Sequence, residues 1–340
     1  MLHAATEPGS WIEALPIHEQ RRYCIIGGAG FIGSHFADRL MEDDRTEAVT
    51  VLDNFRTGRH RHLRKHLSGA DPRFRMVHGD VHDRQKLMEA MEGHTLVLHL
   101  ASNADIARAA IEPEIDFREG TELTQHILEA ARACNVKRVL YASGSGVYGD
   151  AGEQILREED GPRAPISTYG ASKVAGEALI ASYCAMFDMT ACVFRFANVV
   201  GARQTHGVGY DFLQRLQHDP ARLRVLGDGR QKKSYIHVSD VVEAVLHAES
   251  RSKQAYAIYN VATEDTITVT DIVGFASEAL GLRPMIEYSG GDRGWKGDVP
   301  IVRLDCAKLR ALGWAPRYNS RDAIRLSLEE MLRDEHVALV

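Results

Sequence analysis

Gly27-Gly28-Ala29-Gly30-Phe31-Ile32-Gly33 decides how this 340-residue chain is read. The stretch follows a short apolar run at residues 23–26 and opens a segment of helical character at 33–42. Glycines let the backbone turn tightly and approach a pyrophosphate, and a helix N-terminus carries the partial positive charge that such an anion needs. A glycine-rich loop alone is a weak sign, but its context strengthens it. The next apolar run, residues 48–53, ends on Asp53, twenty positions after Gly33. A carboxylate there can accept hydrogen bonds from the ribose hydroxyls of an adenosine. It also repels a 2′-phosphate, which favours NAD over NADP. Arg56 and Arg59 stand close by and are the cations that would favour the phosphate instead.

Outward from this loop, strands and helices alternate. Further strands are expected at 74–78, 95–100, 138–143 and 190–196, and helices at 85–92, 121–134 and 169–187. Such alternation implies an α/β fold with a doubly wound, mostly parallel Rossmann sheet. The near-continuous apolar run before residue 100 suits a sheet covered on both faces. After about residue 200 the pattern loosens, with amphipathic stretches at 240–249 and 270–280. The expected organisation is a lead-in at 1–21, an NAD-binding domain at 22–200, and a smaller, mainly substrate-binding lobe at 201–340. Some segments of that lobe should return to the first domain. Trp11 suggests that part of the lead-in packs on the body.

Composition narrows the class. The chain is 44% hydrophobic and 26% charged, an ordinary globular balance. Its net charge of −6 argues against a dedicated nucleic-acid binder. The five cysteines, Cys24, Cys134, Cys184, Cys192 and Cys306, are scattered and form no CxxC pair, so reduced thiols are expected rather than disulfides or a metal site. No apolar run is long enough to span a bilayer. Residues 1–20 lack the apolar core of a signal peptide. A cytoplasmic protein without a membrane partner is expected.

Tyr169-Gly170-Ala171-Ser172-Lys173 places a phenol and an ammonium four residues apart, on one face of the expected helix. A nearby ammonium favours phenolate, lowering the tyrosine pKa from about 10. Tyr169 is thus a candidate base for taking a hydroxyl proton while hydride passes from carbon to a nicotinamide.

Gly27, Gly30 and Gly33 recur at every third position, the GxxGxxG form. With the YxxxK pair more than a hundred residues later, this spacing resembles the short-chain dehydrogenase/reductase superfamily. The chain is identified as similar to its extended branch, the NAD-dependent epimerase/dehydratase family, and most closely to UDP-glucose 4-epimerase-like members. The resemblance covers roughly residues 22–315. It implies cofactor contacts from the loop residues Gly27, Gly30, Phe31, Ile32 and Gly33, and from Asp53 and Asn54 after the second strand. Asp80 and Val81 would lie by the adenine. Leu100, Ala101 and Ser102 would run beside the cofactor, with Tyr169, Lys173 and Phe196 completing the set. His99, just before that segment, is expected in the core.

In this family a Ser or Thr four residues before the Tyr of a VYG turn completes the catalytic group. Here the segment reads Ser143-Gly144-Ser145-Gly146-Val147-Tyr148-Gly149, so that position is Gly144. Ser145 is the first substitute and Ser143 the second. The absence of Asp and Glu at positions 145 and 146 argues against 4,6-dehydration. On the substrate side, Asn198 of the RFANVVG stretch, Lys233 of the GDGRQKKSYIHVSD stretch and Arg293 of RGWKGD match positions that contact the diphosphate. A lysine at 233 gives a less directional clamp than an arginine.

The resemblance implies a 4-epimerase acting on a nucleotide diphosphate sugar, a UDP-sugar by preference. NAD would oxidise C4 transiently and return hydride to the opposite face. A decarboxylase, a reductase or an epimerase at another carbon is the competing reading on the same fold. A non-catalytic NAD-binding regulator is the reading from another class, and the retained YxxxK pair speaks against it. The family further implies a homodimer through helices 121–134 and 169–187, with Leu123, Ile127, Leu179 and Met186 as candidate contacts unless they face the sheet.

Overall fold

The computed structural model describes residues 21–334. The expected lead-in, Trp11 included, lies outside the described residues except for Arg21, which opens the first strand. Seven parallel strands form the central sheet. They are β1 (Arg21–Ile26), β2 (Thr46–Asp53), β3 (Phe74–His78), β4 (Leu96–His99), β5 (Arg138–Gly144), β6 (Thr190–Phe196) and β7 (Tyr256–Val261). Their order is β7-β6-β5-β4-β1-β2-β3. The order reverses between β1 and β4, and at such a switch point the loops after two neighbouring strands diverge to opposite faces and leave a crevice. The glycine loop after β1 and the Leu100 segment after β4 border it. They are tied by a bond from Leu100 N to Ile26 O, 3.0 Å.

The strands are apolar on both sides because both faces are covered. Ile25, Val49, Val51 and Leu98 pack with Phe36 and Leu40 of α1 (Phe31–Met41). The alternate residues Cys24, Ile26, Leu52 and Val97 face α2 (Arg84–Met91) and α3 (Leu123–Ala133) through Leu87, Met91, Ile127 and Leu128. Leu123 and Ile127 are therefore core residues, 4% and 0% exposed, and cannot serve a contact between subunits. Leu179, on α4 (Thr168–Phe187), is half-buried against the same core, whereas Met186 near its end is 70% exposed.

The helix expected from residue 121 begins earlier, with a π-helical turn at Phe117–Glu122 that runs into α3. The cause is a close approach. A Cβ on Gly120 would stand 2.6 Å from Ser172 Oγ, so only glycine lets this turn lie against the YGASK segment of α4. Local π geometry of this kind recurs at functional sites.

Later segments build a second core from Phe212, Leu213, Leu223, Ile272, Phe275 and Leu328. Several segments beyond residue 200 return to the central sheet instead, residues 302–314 through Leu309 and Trp314 among them. They include β7, which pairs with β6, and α5 (Val238–Arg251), whose Val241 and Val245 pack in the core beside α1. Asp240, 1% exposed, accepts bonds from Arg317 Nε and N at 2.9 and 3.0 Å and so anchors the chain near its end. Among the described residues no helix is long and apolar enough to cross a membrane.

Candidate active site

Gly30 caps α1 without any side-chain bond, so no capping side chain occupies the first amides of the helix. Gly27 has φ +82°, and a Cβ there would meet Ala101 N at 2.8 Å. A Cβ at Gly33 would meet Gly27 O at 2.5 Å. The loop is thus closed tightly on itself and against Leu100-Ala101, leaving its outer side to an anion. Ala29 is held from both directions. Its N–H donates to Asp53 Oδ2 at 2.9 Å, and its carbonyl accepts from Arg59 N at 3.0 Å and from His62 Nδ1 at 2.9 Å. Burial pulls the His62 pKa down to about 4, so the ring is neutral at pH 7, with its proton on Nδ1.

Asp53 is 7% exposed and also accepts from Phe55 N at 2.8 Å. Burial raises its pKa, against the two backbone bonds. Each oxygen retains a second lone pair, the capacity a ribose diol requires. Asn54 donates to Asp80 Oδ2 at 2.7 Å, joining the loops after β2 and β3. Of the two arginines that could favour a 2′-phosphate, Arg56 is held by a carboxylate, while Arg59 is exposed and bonds a backbone carbonyl. Arg56 Nη1 pairs with Glu119 Oε1 at 2.8 Å, and Arg59 Nη1 donates to Gly58 O at 3.2 Å. This cradle fits NAD.

Ser167 caps α4 by accepting from Gly170 N at 3.1 Å, which sets the start of the helix that carries Tyr169 and Lys173. The expected effect of lysine on the phenol is not the dominant one here. Lys173 Nζ donates to Ala142 O at 2.8 Å and sits 5.4 Å from the centre of the Tyr169 ring. Burial pushes the phenol up to about 12, with the Ser102 hydroxyl opposing the rise and the Asp116 carboxylate adding to it. Burial brings the Lys173 ammonium down to about 8, against Asp116 and Glu177. His99 lies in the core as expected, 1% exposed, with Nε2 2.9 Å from Thr124 Oγ1.

The two substitute serines part company. Ser143 is buried and donates to Glu177 Oε1 at 2.6 Å. That carboxylate forms a two-pronged pair with Arg195, from Nε at 3.0 Å and Nη2 at 2.7 Å. Arg195 Nη1 also donates to Tyr148 Oη at 2.9 Å, and Tyr148 to Asn260 Oδ1 at 2.7 Å. Ser143 is therefore part of a buried network joining β5, α4, β6 and β7. Ser145 is partly exposed on the turn Ser145–Tyr148, which packs against Gly170 beside Tyr169. Gly144 has extended backbone, and a Cβ there would meet nothing closer than Phe196 O at 3.9 Å.

On the far side, Lys233 Nζ pairs with Asp298 Oδ1 at 2.5 Å. Arg293 donates to Asp298 O and to Asp150 Oδ2, both at 2.6 Å. The two cations thus share one acid-braced cluster. Asn198, on a strand at Asn198–Val200, bonds the residue after Lys233, with its Nδ2 3.4 Å and its N 3.3 Å from Ser234 O.

Sequence reading missed Glu177, although its spacing of four from Lys173 repeats the Tyr169–Lys173 step. It also missed Asp116, 1% exposed, which has no local signal because it lies on a connecting segment.

The profile of the NAD dependent epimerase/dehydratase family matches residues 23–262. A putative UDP-glucose 4-epimerase of Methanocaldococcus jannaschii is 29% identical over 88% of this chain and 95% of its own length. A crystal structure of a UDP-galactose 4-epimerase superposes with a TM-score of 0.81 at 36% identity, over 92% of this chain and 99% of that one. The Thermus thermophilus UDP-glucose 4-epimerase in complex with NAD gives the same TM-score and coverage, 0.81, 92% and 99%, at 30% identity. With its switch-point crevice, closed glycine loop and Tyr169–Lys173 helix, the chain belongs to the NAD dependent epimerase/dehydratase family.

Proposed function

We propose that the protein is an NAD-dependent nucleotide-sugar 4-epimerase acting on a UDP-sugar. The observation that carries this reading is the meeting of three segments at one crevice, the glycine loop after β1, the Leu100-Ala101-Ser102 segment after β4, and the α4 face bearing Tyr169 and Lys173. Bound NAD supplies a reversible hydride acceptor. The uncapped start of α1 holds its pyrophosphate, and Asp53 takes the adenosine ribose hydroxyls. Tyr169 removes the proton from the sugar hydroxyl and later returns it. Lys173, fixed on Ala142 O, faces the same side of α4 and supplies positive charge near the phenol. Asn198, Lys233 and Arg293 bind the diphosphate, with Asp150 and Asp298 setting the orientation of the two cations. The test is incubation with a panel of nucleotide sugars, with products read by NMR and absorbance followed at the NADH band. Interconversion of two 4-epimers without net NADH supports the reading. Net reduction or oxidation of the cofactor overturns it in favour of a reductase or an oxidative decarboxylase, and a product one carbon shorter with release of CO2 overturns it in favour of a decarboxylase that returns the hydride.

We further infer a homodimer through α3 and α4, resting on the exposure of Met186 (70%) on α4 and of Phe117 (62%) on the turn before α3. Only monomer in light scattering at micromolar concentration would refute it. The five cysteines are free thiols, which suits the cytoplasm.

A further inference from the structure

Asp116 spends both carboxylate oxygens on side chains that flank the reaction centre. Oδ1 accepts from Asn103 Nδ2 at 2.8 Å, and Oδ2 from Thr168 Oγ1 at 2.7 Å. Asn103 follows Ser102 in the chain, and Thr168 precedes Tyr169. One buried carboxylate therefore clamps the end of the β4 loop to the first turn of α4, tying together the neighbours of residues 102 and 169 in the chain. The Ser102 hydroxyl is partly buried, and its bond to Asn103 O is long at 3.5 Å. Gly144, where a hydroxyl would be expected, carries no side chain, and Ser143 already donates its hydroxyl to Glu177.

We propose that Ser102, held by the Asp116 clamp, supplies the hydroxyl that hydrogen-bonds the Tyr169 phenol and takes the place left by Gly144. This deepens the reading of Tyr169 as the base and rests on it. Ser102 is a positioning residue. It donates to the phenol oxygen, so it stabilises the phenolate that accepts the sugar proton. Three other polar groups act on the phenol or lie beside its lysine. Asp116, from the segment before α3, disfavours the phenolate. Lys173, from α4 itself, favours it. The Tyr141 phenol of β5, whose ring centre lies 5.1 Å from Lys173 Nζ, is uncharged in the working range because burial raises its pKa. The role of Ser102 is to offset burial and Asp116. Packing at Gly144 leaves room for a Cβ, so the usual hydroxyl is missing there for want of need rather than of space.

The experiment uses full-length, NAD-loaded enzyme and the pair of 4-epimers that the nucleotide-sugar panel shows it to interconvert. Turnover is measured against pH for the wild type, Ser102→Ala, Ser102→Thr, Ser145→Ala, Asp116→Asn, and Ser102→Ala combined with Gly144→Ser. The Tyr169 phenolate is titrated independently by ultraviolet difference against each protein's Tyr169→Phe counterpart. Ser102→Ala is expected to raise the phenol pKa and move the acid limb of kcat upward by about one pH unit, a loss of about tenfold at fixed pH below the limb. Ser102→Thr should restore both readouts. Gly144→Ser should recover part of the Ser102→Ala loss, and Asp116→Asn should move the limb downward. A uniform loss at all pH values, without a shift of the phenol, would make Ser102 merely structural and overturn the proposal. So would a shift in Ser145→Ala with none in Ser102→Ala. If Tyr169→Phe turns over normally, the underlying assignment of the base fails, whatever Ser102 does.

Discussion

Lys173 Nζ donates to the carbonyl oxygen of Ala142 at 2.8 Å, so the catalytic helix is bolted through its lysine to the end of β5. The ammonium is buried, 3% exposed, and its pKa is lowered to about 8. Below about pH 8 the folded protein carries a charge that burial disfavours, whereas an unfolded lysine keeps its proton up to about 10.4. The unfolded state therefore binds more protons between these values, and stability rises with pH across that window. The wild type should gain stability relative to Lys173→Met as pH increases from about 8 to about 10. Denaturant melts of both proteins at several pH values check this, and a constant difference would contradict it. In turnover Lys173→Met should lose most activity.

Tyr169→Phe should lower turnover by about 10² to 10⁴, the usual worth of a positioned base. NAD binding should be nearly unchanged, because the phenyl ring packs as the phenol does. Fluorescence titration with NAD, beside the turnover assay, separates the two effects. Turnover near the wild-type rate would remove Tyr169 from the mechanism.

Asp53→Ala should weaken NAD for two reasons. It removes the acceptor for the ribose hydroxyls and frees the amides of Ala29 and Phe55 that now shape the loop. Asp53→Asn keeps one acceptor oxygen and should fall between. Glu119→Gln weakens the hold on Arg56 and should narrow the preference for NAD over NADP. Calorimetry with both cofactors checks the set. Tight selective binding of NADP by the unaltered protein would overturn the assignment of Asp53.

Glu177→Ala should destabilise the fold by about 3–5 kcal/mol, because it leaves the fully buried Arg195 guanidinium without its counter-charge. Replacing both partners, Glu177→Leu with Arg195→Met, should cost less than the single change. Thermal melts of the three variants test the coupling, and strict additivity would argue that the pair does not act as a unit.

Much of this protein is written locally. The glycine loop, Asp53 at the end of the second strand and the YxxxK step are close-range patterns, and spacing along one strand, turn or helix is enough to read them. The strand at 190–196 was legible to the residue, because a parallel strand buried along its whole length reads as a nearly continuous apolar run with clear ends. The edge strand at 74–78, with only Val77 buried, was legible as a short run of strand-forming residues. Helix faces were less legible. Leu123 and Ile127 look the same in sequence whether they face a sheet or a second subunit, and only packing settles that they lie in the core. The start of the helix before residue 121 was hidden because it depends on Gly120 passing close to Ser172, two segments far apart in the chain.

The chemistry around the phenol was decided by the tertiary structure. A sequence places Lys173 one turn from Tyr169, but the Ala142 carbonyl that accepts its hydrogen bond comes from another strand. It offers Ser145 and Ser143 as substitutes for the missing hydroxyl and Ser102 only as a residue beside the cofactor, without saying which hydroxyl is free. Folding buries Ser143 against Glu177, and through Asp116, a residue with no pattern of its own, ties Asn103 beside Ser102 to Thr168 beside Tyr169. Hydrogen bonds between distant segments depend on where the strands end and how the connecting loops close, and that geometry exists only once the sheet has formed.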